Sequence, residues 1–387
     1  MSKLDNEQNN RSTGQVPTVS PDEIRAQGLR AQDVVFLGWQ KTVSEEDYPL
    51  YNIINPSHPS YRSTVTEQTL QALHLRIPRT PSPYPNVPPT PWHAVGTELL
   101  SPATAREAID ASGLNFTVAK RPLKEVLDLR YPTGATNSWA TVRTDTGEVL
   151  GIVGDDYEPI QNSDAFAFFD NLVGTDEAMY ETAGMLGRGE RIWILAKLPR
   201  YINVLRKDFV NKYLLLSNSH DGTSQVRVKL TPIRVVCNNT LTAALQGSGE
   251  INIAHTRNAT EDMKQALSLL GLSNMLFDQL KAIFNRMTLI KITDKQLLDY
   301  VRALVPDNGE EKEDVKSEEI RKTFLELYES GQGADLSRGS LWGAFNCVTE
   351  YVDHKMEGAS DSRLESVWFG RGEKMKLKAF QLAERMM

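Results

Sequence analysis

Residues 186–240 form a basic segment that could bind a polyanion. The segment carries ten Lys/Arg against three acids, in a chain whose formal net charge is −7. In "ERIWILAKLP" the residues alternate as they do along a β-strand. The two faces of this strand would consist of Ile192, Ile194, Ala196 and Leu198, and of Arg191, Trp193, Leu195 and Lys197. Because cations attract phosphates and an indole stacks on bases, the second face predicts a surface that binds or anneals single-stranded DNA.

A second strand of the same segment would extend this surface. In "SQVRVKLTPIRVVC", Arg227 and Lys229 alternate with apolar residues, so one side of that strand would also be cationic. The predicted nucleic-acid contacts are Arg188, Arg191, Trp193, Lys197, Arg227, Lys229 and Arg234. The alternative is that Trp193 packs beneath the C-terminal helices, as large aromatic residues often do, and that the cations only decorate an exposed strand.

The basic segment follows an acidic one. Residues 93–185 contain fifteen acids and six bases. Blocks of opposite charge can meet head to tail between copies of the chain, which predicts a homo-oligomer. Alternatively, they can pack against each other within one chain and neutralise the electrostatic field that would attract nucleic acid. A further alternative is that the acidic block binds a host protein.

The sequence contains no recognised catalytic motif. A phosphate-binding loop, a dinucleotide fingerprint, a nucleophile elbow and a zinc-helix motif are all absent. Asp155, Asp156 and Glu158 in "GDDYEP" could hold a divalent cation, as in a metal-dependent nuclease, although an acidic turn is the commoner outcome. "GRGER" precedes a strand and predicts a glycine-permitted turn, and His220 is expected to bond the backbone of its hairpin turn. We therefore predict no catalytic residues, no metal and no cofactor, and we favour a binding protein over an enzyme.

The elements that position these residues indicate an α+β fold. A mainly antiparallel sheet core with packed helices is followed by a helical C-terminal region. The predicted organisation is a disordered tail over 1–30, an irregular Pro-rich arm over 31–92, an α+β core over 93–255 and the helical region over 256–387. Strands are expected near 139–153 as a hairpin, then at 179–185, 190–198, 213–219 and 224–237. Helices are expected at 101–113, 162–173, 258–287, 294–304, 315–329, 339–355 and 373–386, with a charged loop over 307–319.

Composition restricts the class of protein. The chain of 387 residues is 40% hydrophobic and 24% charged, which excludes global disorder. Cys237 and Cys347 alone exclude a disulfide framework and a Cys-rich zinc site. No apolar stretch is long enough to cross a membrane, and the polar N-terminus lacks a signal-peptide core, so we expect a cytoplasmic protein with no membrane partner.

Several blocks resemble one known family. "NFTVAKRPL", "ATVRTDTGEVLGIVGDDYEPIQNSDAFAFFDNLV", "RVVCNNTL" and "LWGAFNCVTEYVDH" look like the blocks of phage/plasmid-like proteins that contain domain of unknown function 932. The likeness runs from about residue 95 to residue 385. It implies a mobile-element protein of the bacterial host cytoplasm, with no established activity and no catalytic residues to transfer. A hairpin-and-helix core with a basic face is also similar in outline to single-strand annealing proteins, an analogy of fold only.

Overall fold

The computed structural model describes most of the chain after residue 95 and three segments before it. The described residues are 34–41, 47–54, 62–66, 96–103, 105–126, 138–173, 179–204, 208–234, 239–241, 250–259, 261–262, 273–307, 309, 311–356 and 360–387. Two compact units are present, one of residues 1–83 with 100–102 and one of residues 84–99 with 103–387. The expected disordered tail over 1–30 lies outside the described residues.

The first unit contains an antiparallel sheet of β1 (Val34–Lys41), β2 (Asp47–Ile54) and β3 (Arg62–Thr66), in that order. The expectation of irregular chain here is wrong for these residues. Pro49 in β2 pairs with Trp39, but β3 pairs only with Leu50 to Ile54. Pro49 therefore lies where β2 has a neighbour on one side, a position at which the missing N–H of proline is tolerated.

The second unit is built on a large antiparallel sheet. Its strands are β4 (Thr97–Ala103), β8 (Met179–Leu186), β9 (Arg191–Val204), β10 (Asp208–Ser219), β11 (Val226–Arg234), β12 (Asn239–Thr240) and β13 (Glu250–Ile253). Among the residues that the structure describes, the order is β12-β11-β10-β9-β8-β4, and β13 also pairs with β11. The predicted strands are present, and β9 and β10 are longer than expected.

A smaller antiparallel sheet joins β5 (Val118–Pro122), β6 (Trp139–Arg143) and β7 (Val149–Val153) in that order. The predicted hairpin is thus present as β6 and β7. Gly147 takes a φ of 76° in its turn, a left-handed conformation that favours glycine. Gly151 lies so close to the backbone of Asp221 that a Cβ there would come within 2.5 Å, so this sheet packs tightly against the β10–β11 turn.

Helices cover the sheets and dominate the C-terminal third. They are α1 (Ala105–Ala111), α2 (Leu123–Val126), α3 (Asn162–Val173), α4 (Ser273–Leu289), α5 (Asp294–Leu304), α6 (Glu311–Ser330), α7 (Ala334–Ser337), α8 (Leu341–Glu350), α9 (Ser360–Phe369) and α10 (Arg371–Arg385). A π-helical turn, Tyr351–Lys355, continues α8. The α+β class with a helical C-terminal region is confirmed. No described helix combines the length and the apolar character needed to cross a membrane.

Three details differ from the predicted helices. The segment at 101–113 begins as the end of β4, and its helix starts only at Ala105. The expected charged loop over 307–319 is largely the first part of α6. Helix α9 has no counterpart among the predicted helices, and its residues pack on one face of the main sheet.

The main sheet lies between two apolar layers. Ile192, Ile194 and Ala196 face a large hydrophobic cluster that includes residues of α3, α4, α5, α8 and α10. Trp193 and Leu195 face a smaller cluster with residues of α9 and of the π-helical turn. The alternation predicted for β9 is therefore correct, but both faces of the strand are interior.

Hydrogen bonds to two buried ion pairs connect the sheet to the helices. Arg234 of β11 pairs with Asp208 at 2.6 Å, and the indole Nε1 of Trp342 donates to the same carboxylate at 2.8 Å. Lys376 of α10 lies 2.8 Å from Asp353 of the π-helical turn, whose other oxygen accepts the backbone N–H of Thr240 in β12. Hydrogen bonds to both charges offset part of the desolvation that burial imposes.

Candidate nucleic-acid interface

Strand pairing brings Arg191, Trp193, Lys197, Arg227 and Lys229 onto one face, whereas Arg234, five positions after Lys229 in the same strand, lies on the opposite face. Ser217 of β10 lies opposite Trp193 of β9 on one side and opposite Arg227 of β11 on the other. Two residues earlier in β10, Leu215 lies opposite Leu195 of β9 and opposite Lys229 of β11. Directly opposed residues of antiparallel strands point to the same side of a sheet, so the predicted shared face exists, with β10 between the two cationic strands.

Trp193, however, is not available to stack on a base. Its side chain has 0% of its surface exposed and meets Trp368 of α9 edge-on, with ring centroids 5.1 Å apart. A Cβ on Gly96 would lie 2.5 Å from the indole, and one on Gly184 would lie 3.2 Å from it. The ring therefore occupies a slot that two glycines leave open. The expectation of an exposed Trp193 is wrong because α9 covers this face.

The predicted contact cations of the strands are paired within the chain. The pairs are Arg191 with Glu365 (2.8 Å), Lys229 with Glu373 (2.7 Å) and Glu250 (3.3 Å), Arg227 with Glu250 (3.7 Å), Lys197 with Glu181 (3.8 Å) and Arg234 with Asp208 (2.6 Å). Arg191, Arg227 and Lys229 also lie over the ring of Phe369, at 4.7 to 5.2 Å from its centroid. These five cations are therefore largely neutralised, mostly by acids of their own sheet and of α9 and α10. The expectation of an exposed, unneutralised basic face is wrong.

Arg188 is the exception among the predicted contacts. It lies in the β8–β9 turn with 57% of its side chain exposed, and it pairs with Glu190 at 3.0 Å. Gly187 and Gly189 have φ values of 63° and 115°, which confirms a turn that glycine permits. One exposed arginine with its own carboxylate does not form an interface.

The acidic turn after β7 does not assemble a metal centre. Asp155 accepts a hydrogen bond from the indole Nε1 of Trp139 at 3.1 Å, and Glu158 lies 3.7 Å from Arg257. Over the described ranges, no three His, Cys, Asp or Glu side chains are grouped so as to hold a metal ion. The nuclease alternative on Asp155, Asp156 and Glu158 therefore lacks convergent ligands.

His220 has a different environment from the expected one. It is fully buried, and its Nε2 lies 2.8 Å from Oδ1 of Asn162 in α3, not against the turn backbone. Burial, and after it the neighbouring His255, lowers the pKa of His220 to about 3. Burial also lowers the pKa of His255 to about 4. Both rings are neutral near pH 7, so neither adds positive charge to an interface.

A basic stripe that sequence reasoning missed lies on α10. Arg371, Lys374, Lys378 and Arg385, here called the α10 stripe, are all exposed, whereas Gly372, Lys376, Ala379, Phe380 and Ala383 form the buried side of the helix. Spacings of three, four and seven residues place the stripe within a sector of about 60°. The signal is present in "RGEKMKLKAFQLAER", but the net charge of a continuous block does not distinguish the faces of a helix.

The α10 stripe is less neutralised than the sheet cations. Lys378 donates to the carbonyl of Leu304 at the end of α5, a favourable position for a cation at a helix C-terminus. No ion pair joins Arg371, Lys374 or Arg385 to another described residue. Glu373, which lies between them in sequence, is directed to Lys229.

Comparison with known proteins identifies the chain only at the level of a family. No curated protein and no solved structure matches it significantly. A family model described as "Domain of unknown function (DUF932)" matches residues 149–368, which is more than half of the chain and ends just before the α10 stripe. The chain therefore belongs to the family defined by domain of unknown function 932.

Proposed function

We propose that the protein binds nucleic acid, and that it holds the phosphate backbone along the α10 stripe and not on the sheet. The observation that carries this proposal is the arrangement of four exposed cations, Arg371, Lys374, Lys378 and Arg385, on one narrow helical face. Basic residues grouped along one face of a helix are a typical electrostatic footprint of nucleic-acid binding. In the mobile-element setting that the sequence resemblance implies, such a protein would handle DNA without catalysing a reaction.

The dimensions of the stripe suit backbone contact. From Arg371 to Arg385 the helix rises about 21 Å, so a strand that follows it would meet one cation at intervals of about 4.5 to 10.5 Å. The burial of Trp193 removes the aromatic platform that would read or stack bases. Binding through phosphates alone is expected to be independent of sequence and strongly dependent on salt.

The experiment compares matched charge variants of the full chain. Fluorescence anisotropy with a labelled single-stranded oligonucleotide, and with the duplex of the same sequence, would be measured from low to physiological salt. The test variant is R371Q/K374Q/R385Q. The control is K281Q/K295Q/K316Q, which removes three exposed cations from other helices and gives the same net charge. Lys378 is left in place because it bonds the end of α5.

We expect the wild-type chain and the control to bind alike, and the stripe variant to lose most of its affinity. Equal losses in both variants would mean that only net charge matters, which contradicts the proposal. Absence of binding by the wild-type chain at about 50 mM salt, where phosphate contacts are strong, would exclude it altogether. Tighter binding to single strands than to duplex would support the single-stranded partner predicted from the sequence.

A further inference from the structure

Three buried polar side chains lie at one end of the main sheet. Asn218 is the penultimate residue of β10, His220 follows that strand, and His255 follows β13. All three are buried. Residues 218 and 220 continue the alternation of Leu214 and Leu216, and residue 255 continues that of Ile253, so the three side chains lie on the face of the large hydrophobic cluster.

Each side chain is fixed by a bond that determines its orientation. The Asn218 amide Nδ2 donates to the carbonyl of Ile160 at 2.9 Å, and the N–H of the same Ile160 is directed to Nδ1 of His255 at 3.4 Å. His220 bonds Asn162 through its Nε2, while the Asn162 amide donates to the carbonyl of Leu114. Asn218 and His255 are therefore held by the two polar groups of one residue.

These bonds also determine the proton positions. Nδ1 of His255 accepts from Ile160, so its Nε2 carries the proton of the neutral ring. Nε2 of His220 faces the Asn162 oxygen and must donate, so its Nδ1 carries a lone pair. Oδ1 of Asn218 is an acceptor because its Nδ2 donates to Ile160.

One polar atom of each side chain is left over. Oδ1 of Asn218, Nδ1 of His220 and Nε2 of His255 are buried and have no hydrogen-bond partner among the described residues. One donor and two acceptors remain, which is the complement of a single water molecule that accepts once and donates twice. We propose that these three atoms form a binding site for one buried water, which joins the end of β10 to the segment after β13.

The same proton positions disfavour a metal ion at this site. A metal needs the lone pair of His255 Nε2, but that requires a proton on Nδ1, which would then oppose the N–H of Ile160. Asp221, which influences both histidines, is bonded to Ser219 and Thr223. An uncharged ligand that accepts one hydrogen bond and donates two fits this donor and acceptor set best.

The proposal can be tested by a double-mutant cycle at pH 8, where both rings are neutral. We expect H220F and H255F each to lower the urea midpoint of unfolding, and the double variant to lose less than the sum, because the second change acts on a site that is already incomplete. The control pair is H255F with T141V. Thr141 bonds the backbone carbonyl of His220 and not its ring, so these losses should be additive.

Magnetic relaxation dispersion of water counts the long-lived water molecules bound to each of the same proteins. The wild-type chain should hold one more long-lived water than H255F. Additive losses in the histidine cycle, or equal numbers of long-lived waters, would overturn the proposal. A metal site would be indicated if Zn²⁺ raised the urea midpoint of the wild-type chain, EDTA reversed this rise, and H255F showed no rise. That result would also overturn the proposal. If the variants do not fold, electron density of the wild-type crystal within hydrogen-bond distance of all three atoms decides: a peak supports the site and its absence excludes it.

Discussion

The indole of Trp193 meets the indole of Trp368 edge-on across the interface between β9 and α9, with ring centroids 5.1 Å apart. The face of β9 that contains Trp193 has the sequence of a nucleic-acid platform. Because of this contact, it instead forms the centre of a second hydrophobic layer. The cations beside it then form pairs with acids of the same sheet and of the helices that cover it.

Trp193→Ala should destabilise the fold and leave nucleic-acid affinity per folded molecule unchanged. Truncation of a large buried aromatic residue costs about 3 to 5 kcal/mol because the cavity does not fully collapse. Urea unfolding monitored by circular dichroism gives the free energy of unfolding, and anisotropy on the folded fraction gives the affinity. Trp368→Ala is the matched variant and should behave alike. A variant of normal stability with weakened binding would restore the stacking role.

Lys376→Met should be costlier than loss of a surface ion pair. The change leaves the carboxylate of Asp353 buried without its counter-ion, which costs about 3 to 5 kcal/mol, against at most about 1 kcal/mol for exposed pairs. The double variant D353L/K376M should recover part of the loss because no unpaired charge remains. Chemical unfolding of the three proteins measures this, and a single-variant loss below about 1 kcal/mol would contradict a buried pair.

Sequence periodicity predicted local structure well because it depends on near neighbours. Alternation correctly separated Ile192 from Trp193, and the helix predicted at 294–304 is α5. Helix α9 escaped prediction because only a few of its residues, such as Leu364 and Trp368, are apolar and buried. Whether a strand face is exposed depends on such distant elements, which no periodicity within the strand can report.

The candidate site was misplaced for the same reason. Arg191 and its partner Glu365 are 174 positions apart, and Lys229 and Glu373 are 144 apart. A count of charges over a continuous block cannot include such partners, so the basic segment looked unneutralised. Most partners of the basic segment lie outside the acidic block over 93–185, from which only Glu181 comes, and a homo-oligomer remains a prediction without a defined surface.

Stability should fall as the pH drops from about 6.5 toward 4. The folded pKa values of His220 and His255 are about 3 and about 4, below the unfolded value of 6.5, so protons bind the unfolded chain first. The stabilisation is complete above the unfolded value and is lost as the pH falls toward the folded values, by up to about 1.4 kcal/mol per pH unit for each histidine.

Over this pH range, the urea midpoint of unfolding should change more steeply with pH for the wild-type chain than for H220F/H255F. Glu350, whose pKa is raised by burial, acts in the opposite direction, so the difference between the two proteins is the informative quantity. Asp221 lies near both rings, and its lowered pKa confines its own effect to pH values near or below 3.8. Equal slopes between pH 6.5 and 4.5 would show that the two histidines are not buried as neutral rings.

The salt dependence of binding separates the α10 stripe from the cations of the sheet. Each phosphate neutralised on a single strand contributes about −0.7 to the slope of log affinity against log salt, so four contacts give a slope of about −3. R371Q/K374Q/R385Q should reduce the magnitude of that slope by about 2, because three contacts are lost.

Lys229→Met should leave the slope unchanged and lower stability instead, since it leaves Glu373 and Glu250 without their buried partner. Anisotropy titrations at four or more salt concentrations, with a urea melt of each protein, measure both quantities. A slope that responds to Lys229 and not to the stripe would return the interface to the sheet.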